Sequence, residues 1–175
     1  MSIDIRAIVK GSSIISALDQ AGVRTVVALP DIVTCSGLLW PLSKHSNFRL
    51  ISVCKEDEGV SICAGLSYCN QRSALLIQHT GFLDSINAIR VIAVEYQLPI
   101  VMLVGLQGME PDGRDPSESA QFGVRIVQPI CEAMNLTTHL LNDYASVGTL
   151  SAGIGRAYEL SQPVVFLIAQ HPSAD

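Results

Sequence analysis

Short, mainly apolar runs alternate along this chain with longer stretches in which apolar residues recur every three or four positions. The runs lie at 25–29, 48–53, 74–78, 99–104, more weakly at 138–141, and at 163–169. A run without polar alternation suits a strand buried on both faces, as in a parallel sheet covered by helices. Ile5, Ile8, Val9, Ile15 and Leu18 predict a helix over 5–21, which Gly22 stops. Further helices are predicted over 36–44, 56–69, 84–96, 126–135 and 144–160, with Pro41 limiting the regularity of the one that carries Trp40. Residues 79–82 read as a loop, and so does 105–119, the longest polar stretch, broken by Gly105, Gly108, Pro111, Gly113 and Pro116. Strands alternating with helices predict the α/β class: a three-layer α/β/α fold with a six-stranded, mainly parallel sheet. No repeat or linker divides residues 1–175, so a single domain is expected.

With 49% apolar and 15% charged residues the composition is that of a globular chain. A net charge of −5 without any cluster of Lys or Arg gives no footprint for nucleic acid or for an acidic membrane surface. No apolar run reaches the roughly 18–20 residues of a membrane span, and an amino terminus with Asp4 and no long apolar core is not a secretory signal. A cytoplasmic location is expected. So low a charge content predicts that part of the surface is covered by another chain. Cys35, Cys54, Cys63, Cys69 and Cys131 show no C-x-x-C spacing and are expected as reduced, buried thiols, with neither a disulfide framework nor a metal site.

The candidate chemistry gathers between Lys55 and Asn87. The apolar run Leu50 to Val53 ends directly before Glu56, Asp57 and Glu58, so three carboxylates fall where a strand hands over to a helix. In a parallel sheet that edge is where ligands bind. Carboxylates in a first helical turn are also favoured by the helix dipole alone, by roughly 0.3–1 kcal/mol. Residue type leaves both readings open.

The run Glu56-Asp57-Glu58-Gly59-Val60-Ser61-Ile62-Cys63-Ala64-Gly65, the strand into Gln78-His79-Thr80-Gly81, and Ser85-Ile86-Asn87 together resemble the pyrimidine-binding domain of thiamine diphosphate enzymes. Within that family the pattern is similar to the sulfopyruvate and phosphonopyruvate decarboxylases. Leu29-Pro30-Asp31 resembles the family's Val-Pro-Asp-Ser turn, and Gly105-Leu106-Gln107-Gly108 its Gly-x-Arg-Gly loop, so the likeness extends over most of the chain.

The resemblance implies that Glu56 is the catalytic residue, sharing a proton with the aminopyrimidine of thiamine diphosphate, and that Thr80, Gly81 and Asn87 join it in binding the cofactor. Such sharing calls for a partly desolvated carboxyl group. It also implies that Asp31 faces the substrate; His79, where relatives often carry Asn, is a further substrate candidate with a hydrogen-bonded structural role as the competing account, and Arg114 is a candidate to substitute for the family's missing Arg. A turn aspartate bonded to its own backbone is the competing account of Asp31, and Asn87 could equally cap a helix. Asp57 and Glu58 are expected to act as caps. The chain departs from the family at Gln107 and in Asp115-Pro116-Ser117-Glu118-Ser119, where relatives carry an Arg and a His that could face a sulfonate or phosphonate. It contains no Gly-Asp-Gly, the family's motif for holding diphosphate and Mg²⁺. The resemblance therefore implies a separate diphosphate-binding beta subunit, activity only in the complex, and further association of the resulting heterodimers. The implied reaction is decarboxylation of a 2-oxo acid. Alternatives are carboligation of the acyloin or acetolactate type and a non-catalytic assembly or regulatory domain.

Overall fold

The computed structural model describes residues 9–174. Six parallel strands form one sheet: β1 Thr25–Ala28, β2 Arg49–Ser52, β3 Ser73–Gln78, β4 Val101–Gly105, β5 Thr137–Leu141 and β6 Val164–Ile168. Their order is β2-β1-β3-β4-β6-β5. The sheet is wholly parallel, where the sequence suggested only a mainly parallel one.

Each inner strand sends alternate residues into two separate cores. Val26, Ala74, Leu76, Val101, Leu103 and Phe166 pack on one face, and Val27, Leu75, Ile77, Met102, Val104 and Leu167 on the other. All of these side chains are essentially inaccessible. Burial of each such large aliphatic side chain contributes roughly 1.5–3 kcal/mol. The first face is covered by α1 Gly11–Gln20, by α2, which runs from Cys35–Leu39 into Trp40–Ser43, and later by α8 Tyr144–Val147 and α9 Leu150–Leu160. The second is covered by α3 Glu56–Tyr68, α4 His79–Asp84, α5, which runs from Ile86–Ala88 into Ile89–Glu95, α6 Phe122–Arg125 and α7 Val127–Ala133.

Several expectations shift. Ile5 and Ile8 lie outside the described residues, and α1 starts only at Gly11 because Lys10 is extended and bridges Ser173. Residues 79–82 are not a loop: β3 passes straight into α4, whose first turn tolerates Gly81. The helix expected over 84–96 is interrupted at Ser85, and the one over 144–160 at Gly148 and Thr149. Residues 122–133 break at Ile126, since Pro129 has no N–H to bond the Arg125 carbonyl. β2 is an edge strand with half-exposed or exposed residues, not a buried one. Among the cysteines Cys63 and Cys131 are buried, whereas Cys54 and Cys69 are exposed because they fall at element ends. No helix among the described residues is long and apolar enough to cross a membrane.

Helix α3 lies on β3 through a close approach at Gly59. A methyl group there would stand 2.5 Å from Leu75 Cδ1, whereas nothing lies within 4 Å of the same position at Gly65. Gly59→Ala is expected to cost about 1–3 kcal/mol by overpacking, and Gly65→Ala to add roughly 1 kcal/mol by helix propensity. Urea denaturation of the two variants checks the contrast, and equal midpoints would contradict this packing.

Two histidines sit against the sheet. His139 stacks on Phe166 with centroids 5.1 Å apart, and His79 is buried at the end of β3. Burial pushes both imidazoles below the ordinary histidine range, with the Gly105 backbone and the Asp31 carboxylate pulling His79 the other way. Below the ordinary value of about 6.5 the unfolded chain takes up a proton that the native chain resists, so stability is complete above it and falls as pH drops through it. The melting temperature is expected to decline from about pH 7.5 to 5.5, and to decline less in a His79→Asn, His139→Gln double variant. Identical pH profiles for the two proteins would show that these groups carry none of the effect.

Candidate functional site

Every strand ends at the same edge of the sheet, and the chain leaves β1 and β3 toward opposite faces. Helix α2 covers one side and α4 the other, so the point between these neighbouring strands is a topological switch point, the usual ligand position in such sheets. Asp31 follows β1, Glu56 begins the helix after β2, His79, Thr80 and Gly81 follow β3, and Gln107 follows β4.

The three carboxylates of α3 divide the work. Glu58 Oε2 accepts from the backbone N–H groups of Cys54 at 3.2 Å and Lys55 at 3.3 Å, and Asp57 Oδ1 accepts from Glu58 N at 2.9 Å. These two satisfy the exposed amides of the helix start. Glu56, the first residue of the helix, is half-buried, and among the described residues its carboxylate accepts no hydrogen bond and joins no ion pair. It rests on α4 at Gly81, where a methyl group would fall 2.1 Å from Glu56 Oε1 and 2.3 Å from its Cδ. Lys55 instead turns to Asp84, at 3.6 Å between exposed groups.

Beside Gly81 a row of neutral groups crosses to the next strand. Thr80 Oγ1 donates to Gln78 Oε1 at 2.7 Å, and Gln78 Nε2 donates to Gln107 Oε1 at 2.8 Å. Gln78 and Gln107 had no assigned role in the sequence. Their pairing follows from the β3–β4 register, in which Gln78 lies opposite Gly105. That register joins residues far apart in the chain and leaves no local signal.

His79 Nδ1 accepts from the Gln107 backbone N–H at 3.2 Å. Nε2 faces Gly123, standing 3.0 Å from where a methyl group there would lie. The buried Asp31 carboxylate accepts from Val33 N at 2.7 Å and Thr34 N at 3.0 Å through Oδ1, and from the Thr34 hydroxyl through Oδ2. It organises the entry to α2. Gly105 allows this turn to approach β4, since a methyl group there would stand 3.1 Å from Asp31 Oδ1.

The remaining residues stand differently. Asn87 is on the exposed face of α5, and its Oδ1 accepts from Arg90 Nη2 at 3.0 Å. Arg114 is held within the loop after β4: its Nε donates to both Asp112 oxygens, at 2.9 and 3.0 Å, and Glu110 lies 3.9 Å from Nη1. This pairing holds the Asp112 carboxyl down at about 2. Glu110 itself accepts from Ser119 Oγ and Ala120 N, which ties the two ends of the loop.

The family model described as "Thiamine pyrophosphate enzyme, N-terminal TPP binding domain" matches residues 10–119. The chain is 28% identical over 158 residues to the sulfopyruvate decarboxylase of Methanosarcina acetivorans, covering 89% of this chain and 39% of that protein. It is 30% identical over 99 residues to the sulfopyruvate decarboxylase subunit alpha of Methanococcus maripaludis, covering 55% of this chain and 57% of that one. The corresponding alpha subunit of Methanocaldococcus jannaschii is 28% identical over 96 residues. The chain thus spans less than two thirds of the length of these relatives. Glu56, Thr80, Gly81, Asp31 and Gln107 all fall inside the matched segment, and with it covering most of the sheet the chain belongs to the family of N-terminal TPP binding domains of thiamine pyrophosphate enzymes.

Proposed function

We propose that this chain is the pyrimidine-binding part of a thiamine diphosphate-dependent 2-oxo acid decarboxylase, with sulfopyruvate or a phosphonopyruvate-like acid as substrate. The observation that carries the reading is the partnerless carboxylate of Glu56. Its two neighbours are spent as caps, yet Glu56 remains open at the ligand edge of the sheet. A spare, half-buried carboxylate fits a ring nitrogen that must hold a proton, and so fits the aminopyrimidine of the cofactor.

Thiamine diphosphate, when bound, supplies the carbon nucleophile and the electron sink that let CO₂ depart. The task of Glu56 is to hold a proton against the pyrimidine ring, and Thr80, on the far side of Gly81, lines the same edge. The names of the relatives support decarboxylation, and the designation "subunit alpha" supports a partner. The 175 residues contain no Gly-Asp-Gly, so the reading assigns diphosphate and Mg²⁺ to a partner segment, which also supplies any cation for the far end of the acid. Arg114 belongs to the architecture of its loop, because its donors already rest on Asp112.

Release of CO₂ from a panel of 2-oxo acids tests this, with the chain alone and then with its partner, thiamine diphosphate and Mg²⁺. Activity is expected only in the full mixture. Glu56→Gln should lower it on the order of 100- to 10,000-fold, the usual worth of a positioned acid–base group, while Arg114→Gln should leave KM unchanged. A mixture that assembles but releases no CO₂ from any acid, or a Glu56→Gln variant as active as wild type, would overturn the reading.

A further inference from the structure

We propose that Gly81 is a positioning residue for Glu56: its bare Cα is the seat of that carboxylate, and any side chain at 81 evicts it. The catalytic consequence rests on the function proposed above. The seat itself does not.

The geometry is one-sided. A methyl group at Gly81 would meet three atoms of one side chain, Glu56 Oε1 at 2.1 Å, Cδ at 2.3 Å and Cγ at 2.4 Å. Real carbon–oxygen and carbon–carbon contacts lie well beyond these values, so the two groups cannot share the space. What gives way is decided by stiffness. The Glu56 side chain is the flexible end of a residue in the first turn of α3, with no hydrogen bond to hold it. Helix α4, by contrast, is anchored by Phe82, which is fully buried. The fold therefore keeps its shape and the carboxylate moves.

This separates Gly81 from Gly59 of the same packed layer. At Gly59 an added methyl group meets Leu75 in the core, so the whole fold pays. At Gly81 the cost falls on a single functional side chain. Position 81 also needs no left-handed backbone, since it lies inside a right-handed helical turn and only Gly22, Gly108 and Gly113 among the described glycines have positive φ. Conformational freedom does not explain glycine here; the neighbouring carboxylate does.

Three measurements on the full chain and its complex test the proposal. In the ¹³C-labelled chain, a nuclear Overhauser contact should join the Gly81 α protons to the Glu56 γ protons, and its absence would overturn the proposal without reference to activity. Gly81→Ala should melt close to wild type, unlike Gly59→Ala, while the Glu56 carboxyl ¹³C resonance moves. A large loss of stability with that resonance unmoved would make Gly81 an ordinary packing residue. In the assembled enzyme, Gly81→Ala should lower kcat by about the factor of Glu56→Gln, on the order of 100-fold or more. The Glu56→Gln, Gly81→Ala double variant should be no worse than Glu56→Gln alone, the signature of two residues acting as one unit. Additive losses would mean that Gly81 touches the cofactor or substrate independently, and would also overturn the proposal. If wild type itself releases no CO₂, the function falls while the first two measurements still decide the seat.

Discussion

In a wholly parallel sheet every strand points the same way, and every following helix must begin at one edge. That constraint arranges all the chemistry in this molecule. The four inner strands, buried on both faces, leave nowhere in the middle of the sheet for polar groups. The chain's carboxylates, amides and imidazole therefore collect where strands end and helices start. Glu56, His79, Thr80, Asp31 and Gln107 come from four strand ends and meet because β1, β2, β3 and β4 lie side by side.

Within that edge, hydrogen bonding sorts groups of one chemical type into different employment. Asp31, Asp57 and Glu58 satisfy backbone amides that would otherwise be open, and Asp112 and Glu110 hold Arg114 and the loop ends. Each of these carboxylates is consumed by structure. Glu56 is left over, and a polar group without a structural task at a ligand edge is what a site needs. The same edge acts on His79: burial disfavours its charged form, and the Gln107 amide donates to its Nδ1.

Much of this was legible in the sequence because it rests on local rules. The apolar runs gave every strand, and the acidic triplet before a small-residue helix placed Glu56 within one residue of the observed start of α3. What the sequence hid was of two kinds. The first was local but ambiguous: Gly81 in a polar stretch resembles a breaker, although a first helical turn accommodates it, and Leu50 and Ile51 look buried although β2 turns out to be an edge. The second was non-local. The seating of Glu56 on Gly81 and the link from Gln78 to Gln107 join residues 25 or more positions apart. Only the order and register of the strands bring them together, and periodicity carries neither. Asp31 lies between the two kinds, since its turn bonds are a local habit of aspartate that competed with a role implied by resemblance.

The row Thr80–Gln78–Gln107 has one more property. A hydroxyl can either give or receive a hydrogen bond, and a primary amide offers both functions at its two ends. Rotating the two glutamine amides by half a turn exchanges the oxygen and nitrogen of each and so reverses the direction of every bond in the row. The far end at Gln107, which is exposed, then presents a carbonyl instead of an amino group. What the row offers at its exposed end, a donor or an acceptor, is thus set by the orientation of two amides in a fixed frame.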